Sequence, residues 1–419
     1  MVTRDEVRAR VDTALRPREM APRLAAALER AGRPGSARRV RPGSCRVLDA
    51  KVEPGVQAMV LYAVDGLLVR GDLVGVGRPG GPGPEGTWVP DPGVLLFPFP
   101  HDPALPHLPS LLSRAGAGTV LGTRGPARAE LLRYRPGKRA TLRLDAPGRD
   151  AVIAKVYHDP AKAATVALEA RALQSALLAE RPAVLRLAPP ARAASGLAGA
   201  AVVLQRAVRG TPLDALLAGS ARTVAGAGPG ARAAAGVRLA AAALAELHRL
   251  PALSGRARPV GRELDRFVLR ADRVATLDPG LGRDLRDLAA RLAELDRRLP
   301  PGRTGLVHGD CKPGQFLLRD QTAVLLDLDH CGSGEQAGDV GTFLATLRQH
   351  GLVDLGAEFL DGYRAHRSGE TDPARIRWHE AVALERKALR AFARAPRSPV
   401  PAALVQQGHL CLDVVQEAA

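Results

Sequence analysis

Residues 306–345 read LVHGDCKPGQFLLRDQTAVLLDLDHCGSGEQAGDVGTFLA, and this stretch decides the fold. Two apolar segments within it, GQFLL and AVLLDLD, flank a short polar turn and indicate a β-hairpin. The motif HGD, which ends at Asp310, precedes the first strand, and Asp327 and Asp329 close the second. The start of the first strand of a hairpin lies beside the end of the second. We therefore expect both acidic clusters at one edge of the sheet.

The residue types at this edge are those that phosphoryl transfer requires. That reaction needs a carboxylate to accept the proton of an attacking hydroxyl, oxygen ligands for Mg²⁺ and a cation for the phosphate. Asp310 is placed to be the base, and Lys312, two residues later, can reach a terminal phosphate. Gln315 and Asp327 offer amide and carboxylate oxygens to a metal ion.

These motifs resemble those of a known family. HGDCKPGQ is similar to the HGDxxxxN catalytic loop of aminoglycoside phosphotransferases and to the HRDLKPEN loop of protein kinases, and LLDLD resembles the metal-binding segment that follows. The resemblance implies that Asp310 is the catalytic base, that His308 supports the loop and that Asp327 holds Mg²⁺. GEQAGDVGTFLA resembles the start of the family's next helix, where Asp339 would tie the catalytic loop in place.

The sequence departs from the family at one position, where Gln315 replaces an asparagine. The extra methylene moves the amide oxygen by about 1.5 Å, one bond length. The change affects the second metal site and leaves the fold prediction intact. Asp329 is the candidate for a compensating ligand.

A nucleotide site is expected in the strands before this loop. The apolar segment AVIAKVY contains Lys155, and burial of an unpaired ammonium group is costly. The resemblance implies that ATP phosphates and a glutamate on the following helix are its partners. Glu169 is the first candidate and Glu180 the second.

Two further segments complete the expected ATP clamp. RYRPGKRATL would form the turn over the phosphates, with Gly137 allowing close backbone approach, while Lys138 and Arg139 either contact phosphate or lie in solvent. VVLQRAVRGTPL resembles the family's hinge strand, and backbone groups from Gln205 to Ala207 would contact the adenine edge.

The pattern along the chain predicts an α+β, two-lobed protein-kinase-like fold with a strand-rich N-lobe and a helical C-lobe. We expect an N-terminal α+β cap over residues 1–115, an N-lobe over 116–205 and a C-lobe with the catalytic loop over 206–419. The cap resembles, loosely, that of maltokinase-type relatives. Residues 47–74 and 130–157 each predict three strands in the same order. The segments LLSRA and ELDRF give no clear signal of structure or function.

The composition limits the partners. The formal net charge is +17, but the basic residues are spread along the chain and aromatic residues make up only 3%, so no nucleic-acid site is predicted. No apolar run is long enough to cross a membrane, and the charged N-terminus lacks the pattern of a secretory signal. We expect a cytoplasmic protein without membrane partners.

The predicted function is ATP-dependent O-phosphorylation of a small molecule, with ATP and Mg²⁺ as cofactors. The acceptor is a sugar or a natural-product hydroxyl, and the positive charge disfavours a polycationic aminoglycoside. Arg386, Lys387 and Arg390 in the C-terminal region suit an anionic or polyhydroxy acceptor. The alternative is a kinase-like protein that binds nucleotide without catalysis. The sequence decides neither ATP against GTP nor the oligomeric state.

Overall fold

The computed structural model describes residues 3–30, 44–76, 86–191, 201–220, 230–252, 261–367 and 372–418. The α-helices in these ranges are α1 (Arg4–Ala14), α2 (Pro17–Arg30), α3 (Leu108–Leu112), α4 (Arg114–Leu121), α5 (Pro160–Glu180), α6 (Leu213–Ser220), α7 (Ala231–Leu247), α8 (Gly261–Ala275), α9 (Pro279–Arg298), α10 (Ala337–Gln349), α11 (Leu355–Ala365), α12 (Pro373–Arg394) and α13 (Val400–Ala418). The strands are β1 (Arg46–Glu53), β2 (Gln57–Val64), β3 (Leu67–Leu73), β4 (Thr87–Val89), β5 (Val94–Pro98), β6 (Arg128–Arg135), β7 (Arg139–Asp145), β8 (Val152–Tyr157), β9 (Leu185–Leu187), β10 (Val202–Arg206), β11 (Thr211–Pro212), β12 (Thr304–Val307), β13 (Phe316–Arg319), β14 (Thr322–Leu325) and β15 (Gly332–Glu335).

The N-terminal unit is an antiparallel sheet in the order β1-β2-β3-β5-β4, with α1 and α2 contributing to its core. Every second side chain of β2 lies in that core. The buried Tyr62 hydroxyl donates a hydrogen bond to the carbonyl of Ala14 at 2.8 Å. The same hydrophobic core continues into α8, α9, α12 and α13. The unit therefore packs on the C-terminal helices; the expected boundary at residue 115 stays a prediction.

The second sheet has the antiparallel order β10-β8-β7-β6. Side chains of α3, α4 and the strands share one hydrophobic core, while α5 contacts β8 and β10. The two three-stranded segments expected from the sequence both form meanders, β1-β2-β3 in one sheet and β6-β7-β8 in the other. The segment LLSRA, which gave no signal, spans the junction of α3 and α4.

The C-terminal half is mainly helical and confirms the α+β, two-lobed fold class. Strands β13 and β14 form the expected hairpin, with Phe316 opposite Leu325 and Arg319 opposite Thr322. The hairpin extends into a sheet in the order β11-β13-β14-β9, and β12 pairs with β15. Phe316 packs edge-on against Phe343 of α10, so the hairpin is anchored to the helices behind it. Within the described ranges, no helix is both long and apolar enough to cross a membrane.

Candidate active site

The loop after β12 is tied to the end of β14 by hydrogen bonds at both of its ends. His308 donates from Nε2 to the carbonyl of Leu326 at 2.8 Å, and its Nδ1 accepts from the amide of Asp310 at 3.2 Å. The amide of Leu326 donates to the carbonyl of Gln315, also at 2.8 Å. Because Leu326 directly precedes Asp327, these bonds hold the HGD loop beside the expected metal ligand.

Asp339, at the start of α10, holds this loop from behind. Its carboxylate accepts from the amides of His308 at 2.6 Å and Gly309 at 2.8 Å. The imidazole of His248 lies 3.1 Å from the same carboxylate and bonds the Tyr363 hydroxyl at 2.7 Å. Burial opposes ionisation of Asp339, but the hydrogen bonds and charge of these partners outweigh it and lower its pKa. The contacts match the loop-tying role that the resemblance implies.

Asp310 lies in the cleft beside two cations. Lys312 Nζ donates to Oδ2 of Asp310, and Arg390 Nη1 is 3.7 Å from Oδ1. Burial raises the pKa of Asp310, but the charges of Lys312 and Arg390 outweigh this effect and lower it to about 2. Asp310 is therefore an ionised carboxylate at neutral pH, able to accept a hydrogen bond from a hydroxyl group.

Asp327 and Asp329 face the N-lobe and share its cations. Lys155 Nζ on β8 lies 2.9 Å from an oxygen of each carboxylate. Arg139, at the start of β7, bonds Asp327 at 3.1 Å and also bonds Asp329. The Tyr157 hydroxyl donates to Asp329 at 2.9 Å. Burial opposes ionisation of Asp327, yet Lys155 and Arg139 hold its pKa far below the usual value.

The ion pairs of Lys155 that the structure describes differ from the expected one. Both go to Asp327 and Asp329 across the cleft, and the expected partner on α5, Glu169, is not among them. The role of Glu169 in nucleotide binding stays a prediction. Arg139, expected either to contact phosphate or to lie in solvent, is buried and pairs with Asp327 and Asp329. These ion pairs and the role of Tyr157 were missed, because only the fold brings β7 and β8 against the end of β14.

The turn between β6 and β7 is fixed by Asp102. The amide of Gly137 donates to Oδ2 of Asp102 at 2.6 Å, and the Tyr134 hydroxyl donates to the same oxygen at 2.9 Å. Arg70 of β3 bonds the other oxygen at 2.7 Å. Asp102, which the sequence gave no reason to select, thus joins the N-terminal unit to the expected phosphate turn.

The expected hinge residues lie at the end of β10. Gln205 is opposite Ile153 of β8, and the amide of Ala207 donates to the carbonyl of Ala151 at 2.8 Å. That amide is therefore already bonded within the protein. An adenine ring at this strand would use other backbone groups or displace this bond.

A cleft of about 870 Å³ opens beside Asp310. It is lined by the catalytic loop, by Lys51 and Glu53 of β1, by Arg386 and Arg390 of α12, and by one face of α8. The contribution of α8 was missed, although its sequence carried a signal. Arginines recur there at intervals of four, four and three residues, which places them on one helix face: Arg262, Arg266, Arg270 and Arg273.

The donor set near Asp327 fits a magnesium–nucleotide complex. The described residues contain no group of three or more His, Cys, Asp or Glu side chains suited to a metal ion. Asp327 and Asp329 nevertheless bring two carboxylates onto the same cations. Mg²⁺ is commonly bound by one or two carboxylates together with substrate phosphates and water. Gln315 is buried close by, since its carbonyl bonds Leu326.

Comparison with known proteins identifies the fold family. The model of the phosphotransferase enzyme family matches residues 137–379, more than half of the chain. No curated protein sequence matches this chain.

Several solved structures are similar. A choline/ethanolamine kinase family protein from Mesorhizobium loti is 17% identical, with a TM-score of 0.48 over 73% of this chain and 93% of that one. Amicoumacin kinase, solved with AMP-PNP, Ca²⁺ and amicoumacin, is 14% identical, with a TM-score of 0.46 over 70% and 88% of the two chains. An aminoglycoside phosphotransferase from Streptomyces rimosus is 22% identical, with a TM-score of 0.42 over 65% and 96%.

Proposed function

Because the chain belongs to the phosphotransferase enzyme family, we propose that it transfers the terminal phosphate of ATP to a hydroxyl group of a small molecule. The observation that carries the proposal is the ionised carboxylate of Asp310, which lines an 870 Å³ cleft and belongs to the loop bonded to Leu326, the residue before Asp327. A hydroxyl compound can enter this cleft, while the nucleotide lies on the side of Lys155.

The donor side is supported by the cations of the N-lobe. Lys155 and Arg139 are two positive groups that nucleotide phosphates can attract, and the turn at Gly137 lies at the start of the same strand as Arg139. Mg²⁺, held by Asp327 and Asp329 with Gln315 nearby, would neutralise phosphate charge when bound. We keep Glu169, Gln205 and Ala207 in the proposed nucleotide site.

The acceptor side depends on Asp310 and its partners. A carboxylate with a pKa of about 2 orients a hydroxyl by accepting its hydrogen bond, and takes the proton as the phosphate bond forms. Lys312 offsets its negative charge, which would otherwise repel the phosphate. His308 keeps the loop in position through Leu326.

The proposal includes the organisation of the chain. We propose a cap over residues 1–115, an N-lobe over 116–205 and a C-lobe over 206–419. Lys51 and Glu53 of the cap line the cleft, which supports a role of the cap in acceptor binding. A cytoplasmic location, where ATP is available, belongs to the same proposal.

The test is ATP-dependent transfer by purified protein to a panel of hydroxylated metabolites and antibiotics, read as a mass gain of one phosphate. Asp310→Asn is expected to lower transfer at least about 100-fold while nucleotide binding persists. Asp320→Asn, on the exposed hairpin turn, is the matched control and should retain activity. Equal turnover by wild type and Asp310→Asn would contradict the proposal and favour a nucleotide-binding protein without catalysis.

A further inference from the structure

Arginine is the most frequent residue among those that line the cleft beside Asp310. Among the described residues its walls carry seven Lys and Arg side chains, four of them on α8: Lys51, Arg262, Arg266, Arg270, Arg273, Arg386 and Arg390. The α8 arginines follow each other by one helical turn, so their guanidinium groups form a row along one wall. These basic groups come from the N-terminal sheet, α8 and α12, three elements that only the fold brings together.

Five carboxylates also line the cleft, but three of them already accept hydrogen bonds from groups that do not line it. Each accepts hydrogen bonds from partners behind or beside the wall, as seen for Asp310 with Lys312, for Glu335 with Arg375 and for Asp339 with His248. Asp310 and Glu335 are paired with the cations Lys312 and Arg375, so these two carboxylates offer little compensation to the arginine row.

The two remaining carboxylates pair with one arginine each. Glu53 lies 3.1 Å from Arg270, and Glu263 lies 2.7 Å from Arg386. For Arg266 and Arg273, the described part of the chain supplies no ion-pair partner. The cleft thus has an excess of positive charge on its α8 side.

The cations of this region also repel one another. Partial burial and the neighbouring Lys138 lower the pKa of Lys51 to about 8. Burial and the charges of Arg386 and Arg270 lower the pKa of Arg390, although Asp310 opposes the shift. Mutual repulsion of this kind is relieved when an anion binds between the cations.

We propose that the acceptor carries an oxyanion, a phosphate or a carboxylate, that binds to the arginine row of α8 while the acceptor's hydroxyl group reaches Asp310. This inference rests on the proposed function. The volume of the cleft lies in the range of small-molecule binding sites, and its positive charge opposes the entry of a polycationic molecule.

The arginine row is distinct from the donor site. The cleft is lined by Asp310 but by neither Lys155 nor Asp327, which mark the nucleotide side. The row therefore serves the acceptor, and its removal is expected to leave the KM for ATP unchanged.

Binding of matched sugars tests the proposal without turnover. Glucose, glucosamine, glucuronate and glucose 6-phosphate are titrated by calorimetry into the full-length Asp310→Asn variant saturated with AMP-PNP and Mg²⁺. The two anionic sugars are expected to bind at least about tenfold more tightly than glucose, glucosamine more weakly, and the difference should shrink with salt. The two anionic probes distinguish phosphate from carboxylate recognition. Binding of both anionic sugars no tighter than that of glucose overturns the inference.

A pair of charge-matched variants locates the anion. Arg266→Gln combined with Arg273→Gln removes two cleft cations and should weaken binding of the anionic sugars at least about tenfold. Arg283→Gln combined with Arg297→Gln removes the same charge from the exposed surface of α9. This control pair should change the affinity for the anionic sugars less than about twofold. Equal effects of the two pairs, or a raised KM for ATP in the first pair only, overturn the inference.

The two proposals fail differently. Phosphate transfer to neutral acceptors that is unaffected by the α8 variants overturns the anionic acceptor and leaves the proposed function intact. Arginine-dependent binding of anionic sugars without transfer to any acceptor supports the anion site and contradicts the phosphotransferase function.

Discussion

Among single residues, Gly137 has a restricted environment in the turn between β6 and β7, which we propose lies over the nucleotide phosphates. Its φ is +69°, and an added Cβ would lie 3.1 Å from a guanidinium nitrogen of Arg70. We expect Gly137→Ala to cost about 1 kcal/mol in backbone strain and to raise the KM for ATP severalfold, because Arg70 and Asp102 hold the turn. Unfolding in urea and steady-state kinetics measure the two effects.

Gly148 provides the control for this substitution. It has the same φ of +69° in the next turn of the sheet, but no atom lies within 4 Å of an added Cβ. Gly148→Ala should cost about the same stability and leave the KM for ATP unchanged. An equal rise in KM in both variants would show that the contact with Arg70 has no part in nucleotide binding.

Lys51 is expected to give acceptor binding a dependence on pH. Its pKa of about 8 is lowered by burial and by Lys138 and Arg270, while Glu53 opposes the shift. The ammonium is charged below this pH and loses its proton above it, so binding of glucose 6-phosphate should weaken as pH rises through about 8. Calorimetry on Asp310→Asn with AMP-PNP, from about pH 7 to about pH 9.5, follows a sugar phosphate that stays ionised.

Replacement of Lys51 by arginine should remove the pH dependence of glucose 6-phosphate binding. Lys51→Arg keeps the positive charge across the whole range, because the pKa of arginine lies above 12. If affinity for glucose 6-phosphate falls at the same pH with lysine and with arginine at position 51, a group other than Lys51 is responsible for the pH dependence.

The sequence predicted individual site residues where the motif is local, and it missed those that depend on distant contacts. Asp310, Lys312 and Asp327 lie in one continuous segment, on either side of one hairpin. The bond of Arg139 to Asp327 and that of Gly137 to Asp102 lie outside any such motif, because the partners are 188 and 35 residues apart in the chain. Contacts between residues so far apart in the chain leave no spacing pattern in the sequence.

Among helices and strands, α10 packs closely on α12 at Gly341. An added Cβ there would lie 2.6 Å from the backbone nitrogen of Glu380. We expect Gly341→Ala to destabilise the protein by about 1–3 kcal/mol, because the helices would have to separate. Gly356→Ala in α11, where the nearest atom would be 3.4 Å away, should change the free energy of unfolding by less than about 1 kcal/mol. Urea unfolding of both variants makes the comparison, and similar losses would contradict the packing argument.

Most helices and strands were predictable from periodicity, and α8 shows why some were not. Its buried positions, Leu264, Phe267, Ala271 and Val274, recur at helical spacing. Exposed Val268 and Leu269 interrupt this pattern, and seven charged residues surround it. The burial of one face depends on α9 and the N-terminal sheet, so the local sequence gave a weak signal.

Across the whole chain, the N-terminal unit and the C-terminal helices share one hydrophobic core. Arg397 pairs with Asp12, and Arg394 lies 3.1 Å from Asp49, so ion pairs join the same parts at the surface. We therefore expect one cooperative unfolding transition. The extent of this shared core could not be predicted, because the apolar faces of α1, α2 and β1–β5 do not indicate which helices cover them.

The two tryptophans of the chain allow a direct test of this cooperativity. Trp88 lies on β4 and Trp378 on α12, so each reports on one part. Trp88→Phe and Trp378→Phe each leave one tryptophan. In each variant, the urea midpoint from the fluorescence of that tryptophan should equal the midpoint from far-UV circular dichroism. A lower midpoint for Trp88 fluorescence than for circular dichroism would indicate an N-terminal unit that unfolds separately.

The bonds of Lys155 and Arg139 to Asp327 and Asp329 have a consequence for nucleotide affinity. Before any nucleotide arrives, the two lobes are already bridged by their own opposite charges. At the proposed nucleotide site, a metal–triphosphate complex would have to displace these internal ion pairs, with Lys155 and Arg139 turning to the phosphates and Asp327 and Asp329 becoming available to the metal. The dissociation constant of the nucleotide would then include the free energy of breaking the internal ion pairs. Free triphosphate and free metal should each bind far more weakly than the two together.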